Sequence, residues 1–128
     1  MVRNSIITGS SRGIGRAIAI KLAEQCDNIV INYRGNAQAA DETAQMVREN
    51  GAEPIVIQAN VRDESDCKKL AAAFDEVDIL VHNAAIGVLK PFQKIRRNQW
   101  DLTMESSLRP MWMLTKLCNM KEGGNVIG

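Results

Sequence analysis

The residues best suited to chemistry lie near the N-terminus, where Gly9-Ser10-Ser11-Arg12-Gly13-Ile14-Gly15 follows directly on the apolar segment Ile6-Ile7-Thr8. Glycines at this spacing let backbone pass where side chains would block it. Gly9 permits a tight turn, while Gly13 and Gly15 lack the Cβ atoms that would hold the chain away from a pyrophosphate, or a helix away from a strand. The N–H groups that open the following helix would face the phosphates. No Gly-Lys-Ser/Thr follows, which argues against a triphosphate-binding loop. About twenty residues further on, where an acidic residue commonly takes the ribose hydroxyls of NAD, the chain reads Asn32-Tyr33-Arg34. With no carboxylate there, Arg12 and Arg34 offer two guanidiniums able to flank a 2′-phosphate through charge-assisted hydrogen bonds, which favours NADP over NAD. Each arginine taken singly reads equally well as a solvated surface charge.

Other chemistry-bearing residues are sparse. His82 is the single histidine and precedes Asn83 at the end of an apolar run. It has the pKa range of a general acid or base, yet no nucleophile or carboxylate stands beside it, so packing or a hydrogen bond on the cofactor side is the expectation. Cys26, Cys67 and Cys118 are odd in number, far apart and without a close histidine; they predict neither a disulfide framework nor a metal site, but small buried groups. Sixteen Lys+Arg against fifteen Asp+Glu give a net charge of +1, and the pairs Lys68-Lys69 and Arg96-Arg97 are too short for a nucleic-acid footprint. Apolar runs such as Ile29 to Ile31 fall far short of a membrane span, and Met1-Val2-Arg3 leads into no signal-peptide core. The expected address is cytoplasmic, with neither nucleic acid nor membrane as partner.

The elements that must position these residues follow from periodicity. Ser5-Ile6-Ile7-Thr8, Ile29-Val30-Ile31, Ile55-Val56-Ile57, Ile79-Leu80-Val81 and Val126-Ile127 read as strands, with longer helical patterns between them. Strands separated by helices require a parallel sheet covered on both faces, the doubly wound α/β class. Ile14, Ile18 and Leu22 form one helical stripe, Ala40, Ala44 and Val47 a second, and Cys67, Leu70, Ala71 and Phe74 a third, each predicted to lie on a sheet face. Asp63 is the expected N-cap of the third helix, and Asn50-Gly51 the stop of the second. A last helix is predicted from about Gln99 to Lys121, kinked or broken at Pro110, whose ring meets the Ser106 carbonyl at a cost of about 3 kcal/mol. With 128 residues and 45% hydrophobic content, the chain is predicted to form one dinucleotide-binding domain spanning 1–128.

The glycine run, read from Thr8 to Gly15, resembles the Thr-Gly-x-x-x-Gly-x-Gly motif of the short-chain dehydrogenase/reductase family. Ala59-Asn60-Val61 falls where that family places a polar residue for the adenine, and His82-Asn83-Ala84-Ala85 falls at its Asn-Asn-Ala-Gly, with Ala85 replacing a glycine. The stretch from Asn83 to Pro91, with Trp100-Asp101 and Thr103-Met104, is similar to NADPH-dependent enoyl-acyl-carrier-protein reductases; ketoacyl reductases are the close second. The resemblance covers essentially the whole chain and implies a Rossmann-type fold with NADP(H) as cofactor. It implies a small or acyl-carrier-linked substrate, and cofactor contacts from Thr8, Gly9, Ser11, Arg12, Gly13, Ile14, Gly15, Tyr33, Arg34, Asn60, Val61, Asn83, Ala84 and Ala85. Asn60 would meet the adenine edge and Asn83 a ribose.

Two departures accompany the match. Ser107 occupies the position of a helix Asn that in the family helps to hold a catalytic water and lysine, so a catalytic role there is in question. The family's Tyr-x-x-x-Lys has no counterpart, since the single tyrosine is Tyr33 and Ala37 stands four residues later. The ending Gly123-Gly124-Asn125-Val126-Ile127-Gly128 resembles the start of the family's fifth strand, so the sequence reads as the first half of a family member, truncated at that strand. Met104, Met111, Met113 and Met120 with Trp112 read as core or subunit contact, and the resemblance implies that this helix packs against a second subunit, hence a homo-oligomer. The alternative to a reductase is a non-catalytic NADP-binding or assembly module.

Overall fold

A computed structural model describes residues 2–128. Five strands, β1 (Asn4–Ile7), β2 (Asn28–Tyr33), β3 (Glu53–Gln58), β4 (Val77–Val81) and β5 (Met120–Ile127), form one sheet in the order β3-β2-β1-β4-β5. All four pairings are parallel, with Ile6 opposite Val30 on one side and Leu80 on the other. Helices α1 (Gly13–Leu22), α2 (Ala37–Glu49), α3 (Glu64–Ala71), α4 (Arg97–Thr103) and α5 (Arg109–Leu117) make the connections. The chain leaves β1 toward β2 and β3, then returns past β1 to lay down β4. That reversal opens a crevice beyond the carboxyl ends of β1 and β4, where ligands bind in sheets of this kind.

In β1, β2 and β4 the apolar residues run through both registers because both faces are covered there, whereas β5 is largely exposed. Ile7, Ile29, Ile31, Ile79 and Val81 pack with Ala19, Ala40 and Val47 on one face. Ile6, Val30, Val77 and Leu80 pack with Cys67, Leu70 and Leu114 on the other. Full burial of each such side chain contributes about 1.5–3 kcal/mol. The three cysteines are buried and free. Asp63 caps α3, accepting from the Ser65 N–H at 3.2 Å, and α2 stops at Asn50-Gly51, where Gly51 takes φ +98°. No described helix is long and apolar enough to cross a membrane.

Three expectations need correction. In α1 the buried positions are Gly15 and Ala19, with Ile18 and Leu22 packed at the margin, whereas Ile14 is 74% exposed. Ile14 belongs to the first turn, which lies beyond the carboxyl ends of the strands, on the cavity, instead of over the sheet face. The last strand begins at Met120 rather than Val126, and the helix before it ends at Leu117. The predicted break at Pro110 is a widened turn instead: Met104–Leu108 is π-helical, and the Arg109 N–H donates to the carbonyl of Met104, five residues back. Pro110 thereby falls in the first turn of α5, where a missing N–H is tolerated and the expected penalty is avoided.

Candidate functional site

The carboxyl end of β1 is fastened to β4 through one hydroxyl. Buried Thr8 Oγ1 accepts hydrogen bonds from the backbone N–H groups of Asn83 and Ala84, both at 3.0 Å, and donates to the Val81 carbonyl at 3.4 Å. Asn83 Nδ2 donates to the Gly9 carbonyl at 3.1 Å. Gly9 itself turns at φ +64° with its α-carbon against Ala84, and a Cβ there would lie 3.1 Å from the Ala84 Cα. Gly15 closes the same junction from the helix side. A Cβ at Gly15 would fall on the Gly9 carbonyl oxygen, 2.6 Å from Asn83 Nδ2 and 2.8 Å from the Ser10 Cα.

The end of β2 holds the turn from the other side. Asn32, 2% exposed, accepts from the Gly9 N–H at 2.9 Å and donates from Nδ2 to the Ala59 carbonyl at 3.1 Å. Its backbone N–H donates to Ser10 Oγ at 2.9 Å, and Ser10 N–H donates to the Asn32 carbonyl at 3.0 Å. Arg16 reaches across α1 to Thr43 Oγ1 at 2.8 Å and to the Ser11 carbonyl at 3.0 Å, while Thr43 donates to that same carbonyl at 2.6 Å. Asn32, Ser10 and the Arg16–Thr43 pair were not legible as site residues. The one available signal was a polar residue closing the apolar run Ile29-Val30-Ile31.

These bonds shape a cavity of about 490 Å³ along the crevice. Gly9, Ser11, Arg12, Gly13 and Ile14 line it from the turn, Tyr33 and Arg34 from β2, Asn60 and Val61 from β3, and Asn83, Ala84 and Ala85 from β4. Sequence reasoning did not supply Asn32, Gly35, Asn36, Ala59, Arg62, Ile86 and Ser106, which line it too. Thr8 and Gly15 stand behind the surface as supports. Ser107 is also outside it: its Oγ accepts from the Ile86 N–H at 3.2 Å and donates to the Ile86 carbonyl at 3.3 Å.

The cavity mouth is suited to an anion. Helix α1 opens without a side-chain cap and without an acidic residue in its first turn, so its leading N–H groups and positive dipole end are uncompensated. Gly13, at φ +61°, has nothing within 4 Å of where a Cβ would stand. Arg12 and Arg34 are exposed and have no ion-pair partner among the described residues. Asn60 is held by its own backbone, its N–H donating to Asp66 Oδ2 at 2.8 Å and its Oδ1 accepting from the Arg62 N–H at 3.1 Å.

His82 faces away from the cavity, with Nε2 2.8 Å from Thr115 Oγ1 on α5 and a buried Nδ1 that has no partner among the described residues. Burial holds its pKa below 6.5. Burial likewise raises the Cys118 thiol to about 11, so it stays protonated at neutral pH.

A parallel sheet in the order β3-β2-β1-β4-β5, with a glycine-bounded crevice at its reversal point, is a doubly wound, Rossmann-type scaffold. The family model for short chain dehydrogenase matches residues 3–127. The 3-oxoacyl-(acyl-carrier-protein) reductase FabG of Staphylococcus aureus is 33% identical over 85% of this chain and 46% of its own length. An uncharacterized oxidoreductase of Bacillus subtilis, YhxC, is 36% identical over 98% of this chain and 46% of its own. Among solved structures, a short-chain dehydrogenase/reductase from Serratia marcescens superposes with a TM-score of 0.90 at 25% identity, covering 97% of this chain and 53% of that one. The landomycin C-6 ketoreductase LanV, solved with NADP and rabelomycin, gives 0.89 at 25% identity over 97% and 56%. This chain belongs to the short-chain dehydrogenase family, whose members are oxidoreductases that bind a nicotinamide cofactor. It spans about half the length of the curated relatives it matches.

Two outcomes are expected. Thr8→Val, which keeps the shape but leaves two half-buried N–H groups without their acceptor, lowers unfolding free energy by about 1 kcal/mol in urea titrations, and Thr8→Ser restores most of it. Because the unfolded imidazole binds a proton below pH 6.5 while folded His82 resists it, stability falls as pH drops through 6.5. His82→Gln removes that slope from thermal midpoints measured between pH 7.5 and 5.5, since the chain has no other histidine.

Proposed function

We propose that the protein carrying this chain is an NADPH-dependent reductase of carbonyl compounds, for which these residues form the cofactor-binding half. The observation that carries the reading is the charge arrangement at the cavity mouth: two unpaired guanidiniums, Arg12 and Arg34, with no carboxylate at the end of β2. A 2′-phosphate supplies the missing anion, and a ribose hydroxyl does not. The glycine turn and the α1 N-terminus take the pyrophosphate, Ile14 covers an apolar part of the ligand at the mouth, Asn60 and Val61 meet the adenine, and Asn83 a ribose. When bound, the cofactor supplies the hydride; the residues of this chain bind and orient it.

For the substrate, the FabG relatives and the ketoreductase neighbour favour a keto group, with a 3-oxoacyl thioester as first choice and an enoyl thioester as second. Ser107 serves as a positioning residue for the Ile86 loop. The outward face of α4 and α5, where Trp100, Leu108 and Trp112 are each more than half exposed, is assigned to a second copy of the chain, and the protein to the cytoplasm. A non-catalytic NADP-binding module is the second reading; the observation favouring it is Ser107, whose hydroxyl is spent on the Ile86 backbone.

Arg34→Ala is expected to raise the Kd for NADPH at least tenfold while leaving that for NADH nearly unchanged, measured by cofactor fluorescence; equal loss for both contradicts the 2′-phosphate assignment. NADPH oxidation by the complete protein with a short 3-oxoacyl thioester separates the two readings: turnover contradicts the module, and binding without turnover fits it.

A further inference from the structure

One concentration of positive charge lies outside the cavity. Lys90, Lys94, Arg96 and Arg97 fall within eight residues, and no Asp or Glu stands between Asp78 and Asp101. All four are exposed, and none has an ion-pair partner among the described residues. Because the whole chain carries only +1, everything outside this segment is net negative. The charge is therefore local, and like charges crowded into one segment repel each other until a counter-charge arrives.

Apolar side chains stand among these cations. Leu89 is fully exposed, and Phe92, three residues later, is 82% exposed. Single apolar residues on a surface are ordinary. An aliphatic and an aromatic group set among cations, however, have the make-up of a protein-binding patch, apolar at the centre and charged at the rim. The segment has local shape. Pro91 leads into a 3₁₀ turn, Phe92–Lys94, in which the Lys94 and Ile95 N–H groups donate to the Pro91 and Phe92 carbonyls at 2.8 and 3.3 Å. Arg96 then starts α4, its N–H donating to Gln99 Oε1 at 3.0 Å.

Position and charge together indicate the occupant. Leu89 follows three residues after Ile86, which lines the cavity and is pinned by Ser107, so the patch begins within about 11 Å of the cavity rim. An anionic membrane or a nucleic-acid backbone needs a positive face broader than one loop, and the net negative remainder of the chain repels both. A compact protein with an acidic patch matches a surface of this size. A keto thioester that arrives on a carrier brings such a protein to this rim.

We propose that segment 89–97 is the docking surface for an acidic protein partner, the carrier that delivers the acyl thioester to the cavity. The assignment rests on the reductase reading and adds to it where the carrier sits. Lys90, Lys94, Arg96 and Arg97 meet its carboxylates, which sets orientation and speeds encounter, while Leu89 and Phe92 are covered by its apolar centre.

The test gives the complete protein two substrates: a 3-oxoacyl group on an acyl-carrier protein, and the same group on N-acetylcysteamine, a small uncharged thiol. In Lys90→Glu/Lys94→Glu the KM for the carrier-linked substrate is expected to rise about tenfold, with kcat and KM for the small thioester unchanged. Lys90→Gln/Lys94→Gln, which removes charge without reversing it, gives a smaller rise of the same kind. Raising the ionic strength from about 0.05 to about 0.3 M raises the wild-type KM for the carrier-linked substrate alone. An unchanged KM in both variants, or an equal loss with both substrates, overturns the docking proposal, while turnover by the wild-type protein keeps the reductase reading. Loss of binding to phosphatidylserine vesicles in the variants, with carrier kinetics unchanged, assigns the patch to a membrane and also overturns it. If the wild-type protein turns over neither thioester, the reductase reading fails and this proposal with it.

Discussion

The crevice exists because a single hydroxyl, Thr8 Oγ1, satisfies two backbone N–H groups where β4 gives way to its loop. Those groups lie just past the last sheet bond, from the His82 N–H to the Ile127 carbonyl, so without Thr8 they would lose their acceptor at the point where the sheet has to open. With them paired, the β4 loop stays close enough for Asn83 to seize the Gly9 carbonyl. That second contact leaves no room at Gly15 for any side chain. The turn, the start of α1 and the β4 loop thus form one rigid corner, and the cavity is the space this corner leaves open.

The charge distribution follows from how the corner is built. Arg16, the arginine nearest the turn in α1, is consumed by Thr43, Ser11 and Glu42 and helps to anchor α2. Arg12 and Arg34 lie one on the turn and one past β2, and neither has such a partner among the described residues. Hydrogen-bonding capacity inside the corner is used up, while outside it positive charge is left over. This division separates scaffold from ligand-facing groups more sharply than residue type does, since both arginine classes look alike in the sequence.

Local patterns made the sheet legible. Runs of β-branched residues marked β1 to β4, because parallel strands covered on both faces need apolar side chains in both registers. Twelve of the expected cofactor residues line the cavity because glycine spacing and short motifs at strand ends carry their own geometry. What escaped was whatever depends on a distant partner. Asn32 reads as a gap where a carboxylate was sought, and its clamp on Gly9 and Ala59 requires knowing that three strand ends meet. Ile14 fits a helical stripe by spacing but sits in the first turn, past the carboxyl ends of the strands. The long helix misled for a related reason: a proline signals a break, and only the packing of α3 against α5 shows that the chain widens instead of bending away.

That widened turn holds one surplus residue. In a regular helix an insertion rotates everything downstream by about 100°, which would carry Leu114 off the sheet; here the excess is absorbed between Met104 and Leu108, and α4 and α5 keep their faces. The register of this helix is therefore tolerant of a length change at one place only. Loss of a single residue inside the π-turn would leave both flanks in phase while erasing the bulge that carries Ser106 into the cavity, whereas the same deletion one turn further on would unseat α5 from the core. A change of length in this helix is therefore absorbed in that five-residue window, and anywhere else along it would exchange wall residues for buried ones.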